Sequence, residues 1–302
     1  MELYQIRSFV RVARTGNLTR ASEELNLTQP AVSQQIKALE TDLGELLFER
    51  TGRRLLLTPA GRHLLERAEE ILELTECARA EIDALGGLKK GAVHIGTNDS
   101  NCLYVLPEVI AEYRKEFPGI TIQLANSHSS QVARWVEEGS VEIGVVTLPV
   151  AGTGLAATKL FDREDVLICE PDHPLATMSD PGPANLVQYP LLLLDRGSVS
   201  HARLREALTS VDQAPGPIMQ VGSVDVIKRY VEIGLGVSVV PRINVEHEIG
   251  SGRLYARSLD WLPRLAVGVV RRSAGYLSPA TREFVSRLER YAIERLGYPP
   301  TA

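Results

Sequence analysis

Residues 21–44 read ASEELNLTQPAVSQQIKALETDLG, and the rest of the chain is best understood outward from them. Ala21-Ser22-Glu23-Glu24-Leu25 predicts a short helix, Asn26-Leu27-Thr28 a tight turn, and Gln29-Pro30 the opening of a second helix. Thr28 suits the N-cap, where its hydroxyl accepts a backbone N–H that has no intrahelical partner. Pro30 suits the first turn, where a missing N–H costs nothing. Ala31, Val32, Ile36, Leu39 and Leu43 recur at helical spacing and predict the buried face, leaving Gln29, Ser33, Gln34 and Lys37 on the other. Amides and hydroxyls near a helix start are the groups that reach base edges in a major groove. The pattern is that of a helix-turn-helix, although solvation alone also places polar residues outward, so the flanking chain has to decide.

That flank, residues 48–61, reads FERTGRRLLLTPAG. It predicts two short strands around a basic, glycine-containing turn, then a helix start at Thr58-Pro59. Arg50, Arg53 and Arg54 at such a tip are placed to grip phosphates, as in a winged helix. Taken together, LYQIRSFVRVARTGNLTRASEELNLTQPAVSQQIKALETDLGELLFERTGRRLLLTPAG, within residues 1–61, resembles the DNA-binding end of LysR-type transcriptional regulators. The resemblance implies DNA contacts from Gln29, Pro30, Ser33 and Gln34 on the recognition helix and from Arg53 on the wing. Thr28 and Lys37 complete the expected set. Members of the family often carry Arg where this chain has Gln34.

Charge alone points elsewhere. The net charge of the 302 residues is −5, and residues 1–58 are close to neutral. A head so weakly basic should hold non-specific DNA poorly as a monomer, so an oligomer on paired half-sites is expected. The length calls for more than one domain. The N-terminus has no signal-peptide pattern and no apolar run approaches the ~18 residues of a membrane span, so a cytoplasmic protein without membrane contact is expected. Cys77, Cys102 and Cys169 are far apart and in no metal-ligand spacing, which reads as reduced thiols, with redox sensing as the sharper alternative.

From Thr58 to about Leu85 a helical pattern runs unbroken, with Leu64, Ala68, Ile71, Thr75, Ala78, Ile82 and Leu85 in steps of three and four. Such a heptad seam predicts two helices packed along their length, with a helix packed on its own domain as the alternative. Glu66, Glu69, Glu70, Glu73, Glu76 and Glu81 make the outer face acidic, and Gly86-Gly87-Leu88-Lys89-Lys90-Gly91 reads as a boundary. By resemblance this is a linker helix that dimerises subunits.

From Ala92 strands and helices alternate in a βαβαβ pattern, and a similar set follows from about Asp165. Two α/β lobes joined by crossings near Phe161–Arg163 and Pro263–Ala266 predict a periplasmic-binding-protein-like receptor, as the resemblance also implies. The fold class expected is therefore multidomain, an all-α winged helix-turn-helix, a long linker helix and a two-lobed α/β effector domain. The boundaries read as 1–58, 59–88 and 91–302, with lobe I at 91–162 and 267–302 and lobe II at 163–266.

Ligands of open α/β sheets sit beyond the carboxyl ends of strands, where helix N-termini point. On that placement and by analogy with the family, Asn98, Ser100, Ser129, Thr147 and Ser223 are the expected effector-binding residues, with lesser contributions from Arg196, Ser200 and His201. A small carboxylate or other polar metabolite fits such groups, while Asp99 would repel an anion and reads either as a helix cap or as a partner for a hydroxyl or amine. Neither HExxH nor GxSxG occurs, Gly234-Leu235-Gly236 lacks a third glycine, and no catalytic, cofactor-binding or metal-binding set stands out, so no enzyme is expected. The resemblance implies a bacterial regulator, with promoter DNA, a small-molecule effector and further copies of itself (a dimer of dimers) as partners, and RNA polymerase as one more. A solute-binding or thiol-sensing protein would use the same two lobes.

Overall fold

The computed structural model describes residues 1–51, 54–84, 90–209, 211 and 218–296; Arg53 of the wing and most of the glycine boundary lie outside them, as do the side chains of Arg50, Arg54 and Cys77. The chain forms two compact units, Met1–Ile82 and Asp83–Ala302.

The first unit contains α1 (Leu3–Thr15), α2 (Leu18–Leu25), α3 (Gln29–Leu43), the antiparallel strands β1 (Phe48–Thr51) and β2 (Arg54–Leu57), and most of α4 (Pro59–Ala84). Thr28 is the N-cap of α3, its hydroxyl accepting from the Ala31 N–H at 3.4 Å. The cap of α2 is Asn17: its Oδ1 accepts from Thr19 N at 2.8 Å and Arg20 N at 3.2 Å. Asn26 closes α2 in the left-handed region, φ 54°, which a short amide side chain tolerates. Phe9, Val12, Ala21, Val32 and Leu39 are fully buried where α1, α2 and α3 meet. Leu43, expected inside, is 40% exposed because the last turn of α3 runs past this core.

The heptad seam of α4 divides in two. Leu64, Leu65, Ala68, Ile71 and Leu72 pack on the core of the head itself. Two expected members of an acidic outer face turn toward α1 instead, Glu76 pairing with Arg7 at 2.8 Å and Glu69 with Arg14 at 3.0 Å. Farther along, Leu74 and Ile82 are 65% and 68% exposed.

The second unit has two lobes. Its first lobe runs through β3 (Gly91–Thr97), α5 (Asp99–Tyr104), α6 (Leu106–Glu116), β4 (Ile120–Asn126), α7 (Ser129–Glu137), β5 (Ile143–Thr147) and β6 (Leu155–Arg163). The second runs through β7 (Asp165–Cys169), α8 (Pro174–Thr177), α9 (Pro183–Leu186), β8 (Leu191–Leu194), α10 (Val199–Leu208), β9 (Ile218–Val221), α11 (Val224–Glu232), β10 (Ser238–Pro241), α12 (Glu246–Gly250) and β11 (Tyr255–Ser258). The chain then returns through β12 (Leu265–Arg272) to α13 (Pro279–Leu296).

The first sheet has the order β4-β3-β5-β12-β6, with β3 parallel to β4 and β5, and β12 antiparallel to β5 and β6. In the second lobe β9 lies parallel to β8, a single parallel bridge from Leu191 to Val237 joins β8 to the approach of β10, and β10-β7-β11 is antiparallel. The order β9-β8-β10-β7-β11 thus repeats that of the first lobe. Gly236 permits the bridge: with φ at 151°, a Cβ there would lie 2.3 Å from the Pro190 carbonyl. Phe284 and Leu288 of α13, both fully buried, close the first core against Ile95, Tyr113 and Ile143. Fully burying such side chains stabilises by about 1.5–3 kcal/mol each.

The helical stretch after β3 is split at Val105, because Pro107 has no N–H to offer the preceding turn. Strands β6 and β11 lack a clear alternating pattern; each is half-exposed and held by pairing with β12 and β7.

Candidate functional site

The carboxyl ends of the strands of both lobes surround a cavity of about 210 Å³. From the first lobe come Asn98, Asp99 and Ser100 after β3, the segment Asn126–Ser129 after β4, and Thr147 and Arg163 at the ends of β5 and β6. From the second come Leu194, Ser198, Val199 and Ser200 around the start of α10, Gly222 and Val224 around the start of α11, and Pro241.

The cavity wall is a continuous hydrogen-bonded set. Asn98 caps α5 with its Oδ1 (3.0 Å to Asn101 N), and its Nδ2 donates to the hydroxyls of Ser129 at 3.4 Å and Thr147 at 3.3 Å. The Ser129 hydroxyl also accepts the Thr147 N–H at 3.1 Å. Arg163 donates to the Thr147 hydroxyl at 3.0 Å and to that of Ser200 at 2.5 Å. Asn126 donates to Asp99. By contrast, the N-caps of α7 and α10, His128 and Ser198, make no side-chain cap bond, so N–H groups of both helices are left for a ligand.

In the first unit, α3 turns a single side outward. Gln29, Pro30, Gln34 and Lys37 are exposed and Ser33 half-buried, while Val32, Ile36 and Leu39 face the core. Gln35 is held inward by the Ser8 hydroxyl. The start of a helix with amides, a hydroxyl and a lysine on its open side is the geometry of base and phosphate contact.

Comparison with known proteins agrees. Residues 3–62 match the family described as "Bacterial regulatory helix-turn-helix protein, lysR family", and residues 86–292 match "LysR substrate binding domain". The chain belongs to the LysR family of transcriptional regulators. Among similar proteins is an uncharacterized HTH-type transcriptional regulator, YeiE of Escherichia coli, 33% identical over 94% of this chain and 95% of that protein. The RuBisCO operon transcriptional regulator of Allochromatium vinosum is 31% identical over 94% of this chain and 95% of its own. A full-length OxyR from Pseudomonas aeruginosa has the same fold, with a TM-score of 0.74 at 24% identity, covering 97% of this chain and 95% of that one. The chain is thus a LysR-type DNA-binding transcriptional regulator with an effector-binding domain, of a family of regulators rather than enzymes.

Within this regulator, Asn98, Ser100, Ser129 and Thr147 are brought together at the cavity. Ser223 is not among its lining residues: the Ser223 hydroxyl accepts the Asp225 N–H at 3.2 Å as the cap of α11, leaving neighbours Gly222 and Val224 to face the space. Ser200 lines the cavity, whereas the ring of His201 donates to the Leu194 carbonyl at 2.5 Å and Arg196 lies on an adjoining groove. Arg163 was missed as a site residue. The available signal was an arginine closing a strand with an aspartate two residues on, which spacing alone cannot separate from a surface pair.

Cys102 and Cys169 both carry thiols of raised pKa. Burial, with Asp99 nearby, raises the Cys102 thiol above its ordinary value; burial, reinforced by Glu170, pushes Cys169 to about 11. The reactive thiolate is scarce at both. No helix among the described residues is long and apolar enough to cross a membrane.

Proposed function

We propose that this regulator binds promoter DNA as a homo-oligomer, a dimer of dimers, in the bacterial cytoplasm, and that a small polar metabolite in the interlobe cavity controls it. On this reading Thr28, Gln29, Pro30, Ser33, Gln34 and Lys37 of the α3 region and Arg53 of the wing contact DNA, and RNA polymerase is a further partner. Asn98, Ser100, Ser129 and Thr147 bind the effector; Ser223 acts through the start of α11. The exposed Leu74 and Ile82 of α4 support a partner helix along the second half of the linker. The domains are 1–58, 59–88 and 91–302, with lobes changing over near 162 and 266.

The observation that carries the reading is the cavity itself. Free helix N–H groups, hydroxyls and an amide suit an anionic oxygen, and the Asp99 carboxylate suits a hydroxyl or amine on the same molecule. A hydroxy or amino acid meets both demands. Its binding would act by favouring one lobe arrangement over another, to the extent that its affinity differs between them.

The test is a footprint on the DNA upstream of the gene, with wild type beside Gln29→Ala/Ser33→Ala, with and without a panel of hydroxy and amino acids. Protection of paired half-sites that the double variant loses, and that one panel member alters, is the expected result. Equal footprints for both proteins, unmoved by every compound, would refute it.

A further inference from the structure

Beside the cavity lies a larger groove of about 880 Å³. The two share Ser198 and Val199, but their walls differ in kind. The groove has an apolar floor of Leu148, Pro149, Val199 and Leu265. Its rim holds three arginines from three segments: Arg196 between β8 and α10, Arg203 on α10, and Arg264 between β11 and β12.

Glu206 is the sole carboxylate among the described lining residues, and Arg203 takes it at 3.2 Å. Arg196 and Arg264 stand in no ion pair among the described residues, and both are exposed. Arg264 has an acidic neighbour in Glu164. Burial raises that carboxyl, but hydrogen bonds to Ser258 and Arg242 and the fields of Arg242 and Arg264 outweigh it and hold Glu164 below its ordinary value. Three arginines against one glutamate leave the lining at +2, in a chain whose net charge is −5.

A guanidinium presents a planar fork that matches carboxylate, phosphate or sulfonate oxygens, and its weak hydration lets it work beside apolar surface. An apolar floor under such a rim is suited to a molecule with a carbon body and an anionic end. We propose that this groove is a second ligand site, for an amphipathic organic anion whose charged group is held by Arg196 and Arg264 and whose body lies on Leu148, Pro149 and Leu265. It is distinct from the cavity in chemistry: the cavity offers backbone N–H groups and hydroxyls to a compact polar molecule, the groove exposed guanidinium groups and carbon surface to a larger one.

Fluorescence titration of the full chain with anilinonaphthalenesulfonate tests this, since its sulfonate and rings match the rim and the floor. Saturable binding is expected, weakened at least about tenfold in Arg196→Gln/Arg264→Gln and in Ala202→Trp, which fills the groove. Ser100→Ala, a cavity variant, should keep the wild-type affinity. Displacement by naphthoate should exceed that by neutral naphthol by about tenfold or more. Circular dichroism of each variant confirms that it folds. Unchanged probe affinity in the arginine variant would overturn the proposal, as would absence of saturable binding, or weakening in Ser100→Ala with none in the arginine variant. Since the cavity and groove variants are read separately, failure here leaves the effector reading of the cavity intact.

Discussion

Arg163 pairs with Asp165 through both carboxylate oxygens, Nε to Oδ1 at 2.9 Å and Nη2 to Oδ2 at 3.1 Å, with each side chain only 7% exposed. The pair sits where the chain passes from β6 to β7, and the same guanidinium reaches Thr147 in one lobe and Ser200 in the other. Asp165 neutralises Arg163, the one arginine or lysine among the described residues that line the cavity.

Removing one member strands the other. Asp165→Ala leaves a buried, uncompensated guanidinium and should lower stability by about 3–5 kcal/mol, read from urea unfolding. Arg163→Met/Asp165→Leu should recover most of that loss. A single variant as stable as wild type would show that the crossing is held by other contacts.

Two serines of the cavity separate stability from binding. Ser129→Ala orphans the buried Thr147 N–H and should cost about 1–3 kcal/mol. The Ser100 hydroxyl lines the cavity and bonds no group among the described residues, so Ser100→Ala orphans no partner and should change stability by less than about 0.5 kcal/mol. It should nonetheless weaken by about tenfold whichever acid alters the footprint, as measured by calorimetry.

His173 predicts an acid-side loss of stability. Its Nδ1 accepts the Leu175 N–H at 3.2 Å, capping α8, which only the neutral ring can do. Burial lowers its pKa, with Glu170 opposing. The unfolded chain therefore takes up this proton at higher pH than the folded one. The contribution is complete above the ordinary histidine value near 6.5 and lost as pH falls through the depressed folded value. The difference in urea midpoint between wild type and His173→Asn should widen in favour of the variant from about pH 7 to about pH 5.

Lys37 and Gln29 lie on the exposed side of α3 but should fail differently. Lys37→Ala should weaken binding to all sequences alike and reduce the slope of log affinity against log salt by about 1 per bound head. Gln29→Ala should cost about 1–3 kcal/mol on the preferred site alone, relaxing specificity there. Gel-shift titrations over a salt series distinguish the two.

Gly61 of α4 has no room for a side chain. A Cβ would lie 2.2 Å from the Leu47 carbonyl oxygen and 2.9 Å from Leu57 Cδ2. Gly61→Ala should therefore destabilise the head by about 2 kcal/mol or more, seen as a lower melting transition.

What the sequence determined by itself is what short-range interactions decide. The bounds of α3 follow from Thr28 as cap, Pro30 in the first turn and Gly44 closing the helix at φ 74°, all within a few residues of the element they shape. The resemblance of residues 1–61 extended that reading to the family and the two-lobed receptor. Tertiary structure decided the rest. Half of the α4 seam turned inward because the head needed Leu64, Ala68 and Ile71 for its own core. Whether a serine at a helix start lines the cavity or caps its own helix cannot be told from spacing: Ser129 lines it and takes the Thr147 N–H, whereas Ser223 caps α11. The cavity depends on bonds such as Asn98 to Thr147, 49 residues apart, and Arg163 to Ser200, 37 apart. Periodicity reports which face of one element is apolar; it holds no information about which strand ends the fold will bring together.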